Sequence, residues 1–384
     1  MKRKRPLKVF EAFAGIGAQA TALKRLGINF EIVGICDWSI DAIICYDSIH
    51  HAGQELIDIP SYPEQLEYLQ NYEFSCTSIN PTNLKVIDKA IIEQLYVANK
   101  RSKNFGSINQ LCGKDIPKTD LLVYSFPCQD LSTGGNSLGM SKGSGTRSSL
   151  LWEIERILIE LNELNRLPEY LLMENVKTVT SKKYKPDLDL FLSFLSSIGY
   201  ENDDCMVLNS LDFDIPQDRE RAFIVSHLKK KIAVSKCIKK HPRNFNIFDF
   251  LRCDYENPIL KMEADIAQLN RTPSREVMWR INGKEINENT TVRTITCNMD
   301  RTHTSALFKY SGAKGDTYRR LTIREAFLLM GFTEEEYERT QHLDFSYRKM
   351  NKLIGNSIVV NVLTEIFREM FYEKYEIPPI STSK

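Results

Sequence analysis

Short apolar runs alternate with amphipathic stretches through the first part of the chain. An apolar run bounded by turn residues is typical of a buried strand, whereas apolar positions spaced three and four apart indicate a helix, as at 148–164. This alternation predicts an α/β fold with a doubly wound, mostly parallel sheet. The predicted strands lie at 7–13, 30–36, 120–126, 169–176 and 221–228.

Two regions interrupt the strand and helix order. Residues 53–110 contain two helical patterns joined by polar loops, which predict a helical insertion outside the sheet. Residues 229–319 open with a basic run that carries aromatic residues and then show no repeated strand–helix pattern. We therefore predict a main domain formed by 1–228 and 320–384, with a second, smaller domain at 229–319.

Composition and charge exclude several classes of protein. The chain has 384 residues, of which 42% are hydrophobic and 26% charged, as in an ordinary globular protein. The net charge of +1 gives no global basic field, so any contact with nucleic acid must come from local patches. Nine cysteines without a CxxC pair argue against a disulfide framework or a zinc site. With no long apolar run or leader, we expect a cytoplasmic protein that does not contact membranes.

A glycine turn follows the first predicted strand and suggests a ligand site. The amides of residues 13–17 (FAGIG) could cradle a nucleotide-like ligand, although a tight turn without a ligand is the alternative. Asp37, at the end of the second strand, could accept ribose hydroxyls, and Trp38 could stack on adenine. A helix cap and a core tryptophan are the other interpretation. Because no phosphate-binding lysine accompanies the turn, a nucleoside such as S-adenosylmethionine fits better than a nucleotide.

Polar side chains at the ends of other strands suggest catalysis. Cys128 follows a proline at the end of a strand and precedes a glycine- and serine-rich run, so it is either a core residue or a nucleophile behind a lid. Glu174 ends the next strand, and in a parallel sheet it should lie on the same rim as Cys128. Arg219 and Arg221 point to one side of an extended segment, where a surface ion pair with Glu220 is the alternative.

Taken in order, these stretches resemble the cytosine-C5 DNA methyltransferase family, of the bacterial restriction–modification type. The resemblance implies a Rossmann-like methyltransferase sheet with a smaller target-recognition domain at 229–319. It also implies a sequence-specific enzyme that extrudes its target base from the duplex and needs no metal. The matching segments are FAGIG at 13–17, FPCQ at 126–129, ENV at 174–176, QDRER at 217–221, RRLTIREAFLLMGF at 319–332 and GNSIVVNVL at 355–363.

The resemblance also implies roles for single residues. Cys128 would add to C6 of cytosine, and C5 would then take the methyl group of S-adenosyl-L-methionine, which leaves as S-adenosyl-L-homocysteine. Glu174 would bind N3 and the exocyclic amine, Arg221 would reach O2, and Arg219 would assist near the thiol. The cofactor pocket implied by the family comprises Phe13, Ala14, Gly15, Ile16, Gly17, Asp37, Trp38, Asp115, Ile116, Pro127, Leu150, Asn356, Ser357 and Ile358.

Further expectations concern partners and rival functions. We expect double-stranded DNA as the partner of a monomer, with phosphate contacts from 229–243, base reading by Asn, Gln or Arg within 268–301, and the loop 130–147 as a lid. A cognate restriction endonuclease could exist in the same system. One alternative is a tRNA cytosine-C5 methyltransferase, against which the chain lacks the CFT tripeptide of that branch. The other is a non-catalytic DNA-binding regulator, against which the intact Cys128, Glu174 and Arg221 argue.

Overall fold

The computed structural model describes residues 5–54, 58–131, 139–282, 286–297, 299, 307–375 and 377. The chain divides into two compact units. The first comprises Met1–Leu208, Glu220–Lys239 and Leu363–Lys384, and the second comprises Asn209–Arg219 and Lys240–Val362. The boundaries of the compact units therefore differ from those of the predicted domains, because 209–219 and 320–362 cluster with 240–319. The functional division, with a target-recognition domain at 229–319, stays a prediction.

The first unit is built around a seven-stranded sheet. Its order is β2-β1-β3-β4-β8-β5, and β6 also pairs with β8. The pairs among β1 to β4 are parallel, whereas β8 runs antiparallel to β4 and β5. The predicted α/β fold with a doubly wound, mostly parallel sheet is confirmed. The strands are β1 (Leu7–Ala12), β2 (Phe30–Cys36), β3 (Leu121–Tyr124), β4 (Tyr170–Val176), β5 (Tyr200–Asn202), β6 (Met206–Asn209) and β8 (Glu220–Leu228).

Helices cover the sheet because each presents an apolar stripe. The strands β3 and β4 are buried along their whole length, as expected for central strands covered on both faces. Ile157 and Leu158 pack with Leu171 and Phe191 in one large core cluster. The helices of this unit are α1 (Ala18–Arg25), α2 (Ile40–His50), α3 (Tyr62–Leu69), α4 (Lys89–Arg101), α5 (Leu151–Glu163), α6 (Lys185–Ser197) and α7 (Val234–Cys237), with most of α13 (Val360–Phe371).

The second unit is mainly helical and contains two small sheets. One is the hairpin of β10 (Phe308–Gly312) and β11 (Gly315–Arg319), and the other pairs β7 (Gln217–Asp218) with β9 (Val292–Arg293). Ion pairs take the place of part of the apolar core, since the side chains of Arg319 and Glu325 are both 0% exposed. The helices are α8 (Pro258–Ala267), α9 (Pro273–Asn282), α10 (Ile323–Leu329), α11 (Glu334–Glu338) and α12 (Tyr347–Asn356).

The predicted insertion at 53–110 contains α3 and α4, and α4 packs on α2. Both helices lie within the region for which the two helical patterns were predicted, and α4 begins at Lys89. A short 3-10 helix at Leu84–Val86 precedes it. Among the residues that the structure describes, no helix is both long enough and apolar enough to cross a membrane.

Candidate active site

The parallel strands bring several predicted site residues of the first unit to one edge of the sheet. Ala12, the last residue of β1, pairs with Cys36 on one side and with Tyr124 on the other. Tyr124 in turn pairs with Met173 of β4. Because these strands run in one direction, the segments that follow them share the carboxyl edge, where doubly wound proteins bind ligands. The register agrees with the prediction that the Cys128 segment and Glu174 lie on one rim.

The loop after β1 holds three left-handed residues within five positions. Phe13, Gly15 and Gly17 have φ values of 57°, 57° and 77°. A Cβ at Gly17 would lie 2.2 Å from Nε2 of His50, so this close approach requires glycine. At Gly15 an added Cβ would meet nothing within 4 Å, which leaves open space beside the main chain. The loop therefore offers backbone atoms to a space that a ligand can fill.

The segment after β2 places a carboxylate against this loop. Oδ2 of Asp37 accepts a hydrogen bond from the amide of Gly15 (2.9 Å), and Oδ1 accepts one from the amide of Ser39 (2.8 Å). Trp38 is half-buried beside it. The bond to Ser39 involves the residue that directly precedes α2. The bond to Gly15 adds a link between the two strand ends that the sequence does not show.

Cys128 lies in a turn that two buried side chains fix. Nδ2 of Asn175 donates to the carbonyl oxygen of Phe126 (2.9 Å), and Oγ of Ser148 donates to that of Pro127 (2.7 Å). Asn175 and Ser148 are 1% and 0% exposed, so these bonds are shielded from water. Cys128 is half-buried, packs against the large core cluster and forms no disulfide. The turn thus holds the thiol at a defined place after β3.

Glu174 is a buried carboxylate with two polar neighbours. It is 5% exposed and accepts a short hydrogen bond from Oγ of Ser125. Nε of Arg221 lies 3.4 Å from Oε1 of Glu174, and the Arg221 side chain is 15% exposed. A buried carboxylate is costly unless it is paired and hydrogen-bonded, and both conditions are met here. Ser125, which sequence analysis assigned no role, is one of the two partners.

Arg219 belongs to the second unit, where main-chain carbonyl groups surround its guanidinium. Its guanidinium donates to the carbonyl oxygens of Ile295 (2.9 Å), Gly355 (3.0 Å) and Ser357 (2.7 Å). Arg219 is 3% exposed, and these bonds hold the segment that carries Asn356. The contacts favour a positioning role for Arg219, while its assistance near the thiol stays a prediction.

The remaining predicted cofactor residues differ in exposure. Asp115 and Asn356 are exposed, which suits contact with a ligand, whereas Ile116 is 2% exposed and belongs to the large core cluster. Pro127 and Leu150 are half-buried. Four others are buried, so a ligand could reach only their main chain or an edge of their side chains: Ala14, Ile16, Ser357 and Ile358.

Comparison with known proteins decides the family. Residues 69–372 match the model of the C-5 cytosine-specific DNA methylase family. The chain is 35% identical over 382 residues to the orphan methyltransferase M.SssI of Spiroplasma monobiae, a match that covers 94% of this chain and 96% of that relative. The chain belongs to the C-5 cytosine-specific DNA methylase family. It is therefore a DNA (cytosine-5-)-methyltransferase, and the family implies use of S-adenosylmethionine.

Other similarities agree with this membership. The type II methyltransferase M2.ScrFI of Lactococcus lactis subsp. cremoris is 34% identical over 379 residues, which covers 95% of this chain and 99% of that relative. The crystal structure of S. pombe Dnmt2 methyltransferase superposes with a TM-score of 0.63, covers 96% of this chain and 99% of its own, and is 19% identical. At that identity the likeness concerns the fold alone, and it supports the Rossmann-like sheet of this methyltransferase.

A buried carboxyl group lies beneath the glycine loop of the methyltransferase. Glu11 of β1 is 0% exposed, and Oη of Tyr46 donates to its Oε2 (2.9 Å). Burial raises the pKa of the Glu11 carboxyl from 4.5 to about 7, and the hydrogen bond from Tyr46 only partly opposes this effect. His50 packs on Tyr46 and contacts the carbonyl oxygen of Ile16 (3.0 Å). Glu11 is therefore connected to the glycine loop through Tyr46 and His50.

Replacement of Glu11 by glutamine is expected to remove part of the pH dependence of stability. The folded protein binds a proton at Glu11 that the unfolded chain has lost between pH 4.5 and about 7, so this contribution to stability falls as pH rises through that window. Above it the buried carboxylate costs about 3 kcal/mol. In urea unfolding, Glu11→Gln should gain up to about 3 kcal/mol over the unchanged protein at pH 8 and little at pH 5.

The control for this prediction is Glu201→Gln, which changes an exposed carboxylate of the same unit. It should follow the unchanged protein at every pH. A difference between Glu11→Gln and the unchanged protein that stays constant from pH 5 to pH 8 would contradict the assignment.

Among the residues that the structure describes, no group of three or more His, Cys, Asp or Glu side chains could hold a metal ion. Sequence analysis missed Ser125, Ser148 and the roles of Asn175 and Arg219, because each acts through a hydrogen bond to a segment distant in sequence. The only signal was position, since Asn175 and Arg219 lie within segments that resemble the family and Ser125 directly precedes one.

Proposed function

We propose that this methyltransferase modifies cytosine in double-stranded DNA through a covalent intermediate in which Cys128 is the nucleophile. The thiolate adds to C6 of an extruded cytosine, C5 takes the methyl group, a base removes the C5 proton, and the thiolate leaves. The observation that carries the proposal is the common anchoring of two groups. The Cys128 turn is bound by Asn175, which directly follows Glu174 in β4.

Glu174 and Arg221 supply the polar side of the proposed base pocket. Thiolate addition builds negative charge on the pyrimidine ring, and a protonated carboxyl group at N3 or a cation at O2 would stabilise it. The pair at 3.4 Å provides a carboxyl group and a guanidinium in one place. The hydrogen bond from Ser125 orients the carboxyl group of Glu174. Catalysis depends on such fixed positions of the groups that contact the base.

The first unit also fits the cofactor that the family implies. S-adenosylmethionine supplies the methyl group from its sulfonium. The open space beside Gly15 admits a ligand to the backbone of the loop, and the carboxylate of Asp37 lies against that loop for a ribose. Trp38, half-buried next to it, offers an aromatic face to an adenine.

We propose that phosphate contacts come from the first part of the basic run at 229–243 and not from Lys240 and Arg243. Lys229, Lys230 and Lys231 are exposed and suit phosphate contacts. Lys240 and Arg243 instead bind Asp212, at 3.1 Å and 2.8 Å. Burial alone would raise the pKa of Asp212, but hydrogen bonds from Arg243 and Lys240 outweigh it and hold that pKa below its usual range. The side chains of Lys240 and Arg243 therefore form ion pairs within the second unit, and we do not propose them as phosphate contacts.

The candidates for base reading also become fewer. Gln268 is 2% exposed, and its amide binds Gly315 (2.8 Å), Thr317 (2.9 Å) and Lys314 (2.8 Å) within the second unit. It holds the β10–β11 hairpin and is not presented to a base. Among the residues that the structure describes, the exposed Asn and Arg side chains between 268 and 301 remain as candidates: Asn270, Arg271, Arg280, Asn287, Asn289 and Arg293.

Of the proposed lid at 130–147, residues 132–138 lie outside the described residues. The remaining predictions on partners stand as proposals. They comprise a monomeric enzyme and a cognate restriction endonuclease in the same system, and the relatives include both orphan and type II enzymes.

The test of the proposed function is methyl transfer to defined substrates. The full chain is incubated with labelled S-adenosylmethionine and either duplex DNA or tRNA, and the products are digested to nucleosides. We expect label in 5-methylcytosine from the duplex and none from tRNA. Bisulfite sequencing of the duplex then gives the target sequence. Label confined to tRNA would establish the RNA enzyme instead, and an unlabelled duplex would contradict the proposal.

A further inference from the structure

The insertion at 53–110 is hydrogen-bonded to the main chain at the end of β2. The amide of Phe105 donates to the carbonyl oxygen of Ile35 (2.9 Å), which extends the sheet by one parallel bridge. On the other side, the amide of Ser75 donates to the carbonyl oxygen of Trp38 (2.7 Å), and the carbonyl oxygen of Ser75 accepts from Ile40 (3.2 Å). The insertion thus contacts the segment before Asp37 and the segment after it.

Between these contacts, one side chain of the insertion binds both backbone polar groups of Asp37. The amide of Asp37 donates to Oδ1 of Asn104 (2.9 Å), and Nδ2 of Asn104 donates to the carbonyl oxygen of Asp37 (3.0 Å). This paired arrangement copies what a neighbouring strand would do for one residue. It occurs after β2 has ended, where no strand partner continues.

Other residues of the insertion hold Asn104 in turn. Nδ2 of Asn104 also donates to Oδ1 of Asn99 (2.7 Å), and the amide of Asn104 donates to the carbonyl oxygen of Asn99 (3.0 Å). Nδ2 of Asn99 donates to Oη of Tyr68 (3.1 Å). Asn99 and Asn104 are 0% and 3% exposed, so the network lies away from water, where hydrogen bonds are strong and expensive to break.

We propose that Asn104 is a positioning residue of the cofactor site and that the insertion serves to hold it. By fixing the backbone of Asp37 from both sides, Asn104 fixes the direction of the carboxylate that reaches the Gly15 amide. The inference rests on the proposed function, because it takes Asp37 as the ribose ligand of S-adenosylmethionine.

The test compares three alanine variants of the insertion in the full-length enzyme. Asn104→Ala removes both bonds to Asp37 and should raise KM for S-adenosylmethionine about ten-fold. Asn99→Ala keeps these bonds but loosens Asn104, so a rise of about three-fold is expected. Asn83→Ala is the control, since Asn83 is exposed and its side chain caps only the 3-10 helix of the insertion. In all three variants, kcat and KM for DNA should stay within two-fold of the unchanged enzyme.

A second readout separates positioning of the ribose ligand from loosening of the fold. The dissociation constant of S-adenosylhomocysteine is measured by titration calorimetry, beside that of its analogue without ribose hydroxyls. Asn104→Ala should weaken binding of the first about ten-fold and of the second less than two-fold, because only the first uses the Asp37 carboxylate.

The outcomes distinguish this inference from the proposed function. An unchanged enzyme that binds no S-adenosylhomocysteine contradicts the proposed function itself. An active enzyme whose folded Asn104→Ala variant keeps KM for the cofactor within two-fold overturns the role of Asn104, as does an equal loss for both ligands. If Asn104→Ala does not fold, Asn99→Ala decides: a three-fold rise in KM with unchanged kcat supports the inference, and no rise overturns it.

Discussion

Replacement of Cys128 by alanine is expected to lower the rate of methyl transfer by about 10⁴-fold or more, because it removes the proposed nucleophile that would activate cytosine C5. C5 of cytosine is a poor nucleophile until a thiolate has added at C6. No neighbouring residue can replace this covalent step, since Glu174 and Arg221 act on the ring only electrostatically. The fold should persist, because Asn175 and Ser148 bind main-chain carbonyls of the turn and not the thiol.

Single-turnover labelling of duplex DNA measures the loss, and titration with S-adenosylhomocysteine checks that the cofactor still binds. Duplex DNA with 5-fluorocytosine at the target adds a direct test, because the fluorine blocks release and traps the enzyme covalently. The trapped complex should form with the unchanged enzyme and not with Cys128→Ala. Cys205→Ala, at an exposed cysteine of the same unit, should retain full activity. Turnover above a tenth of the unchanged rate in Cys128→Ala would exclude the covalent mechanism.

Replacement of Glu325 by glutamine is expected to lower the free energy of unfolding by about 3–5 kcal/mol, because it leaves the charge of Arg319 buried without its counter-ion. Both side chains are 0% exposed, and the two terminal nitrogens of the Arg319 guanidinium, Nη1 and Nη2, each lie 2.8 Å from a carboxylate oxygen of Glu325. Glu325 also accepts bonds from the amides of Arg252 (2.9 Å) and Thr322 (2.8 Å). One carboxylate therefore joins three segments of the second unit.

Urea unfolding followed by circular dichroism measures this effect. The control is Glu335→Gln, which makes the same chemical change in an exposed pair with Arg339. Because exposed pairs contribute little, Glu335→Gln should change stability by less than about 1 kcal/mol. If Glu325→Gln costs no more than the control, the buried pair is not what holds α10 to its surroundings.

The sheet was predictable because its central strands are apolar on both faces. Runs such as 120–126 and 169–176 have no polar face to present to water, so burial between helices is their stable outcome. The placement of Glu174 near a strand end followed from the same pattern, although β4 continues for two residues beyond it. The antiparallel direction of β8 did not follow, because an apolar run carries no sign of its direction.

The supports of the site were not predictable, since they join residues far apart in sequence. Asn104 is 67 positions from Asp37, and Ser125 is 49 positions from Glu174. An isolated asparagine or serine in a polar loop gives no sign of a buried partner. The partners of Arg219 were likewise not evident, because its place in the QDRER segment gave no sign that its bonds go to main-chain carbonyls.

Asp130, two residues after Cys128, is hydrogen-bonded to the described part of the segment proposed as the lid. Its Oδ2 accepts from the amides of Arg147 (2.9 Å) and Ser148 (3.3 Å), and its carbonyl oxygen accepts from the amide of Gly139 (3.1 Å). These bonds tie residues 139 and 147 of the proposed lid, and Ser148 directly after it, to the chain two residues beyond Cys128. Movement of Gly139 and Arg147 away from Asp130 would break them. We therefore expect that a movement of the proposed lid also changes the turn that carries the proposed nucleophile.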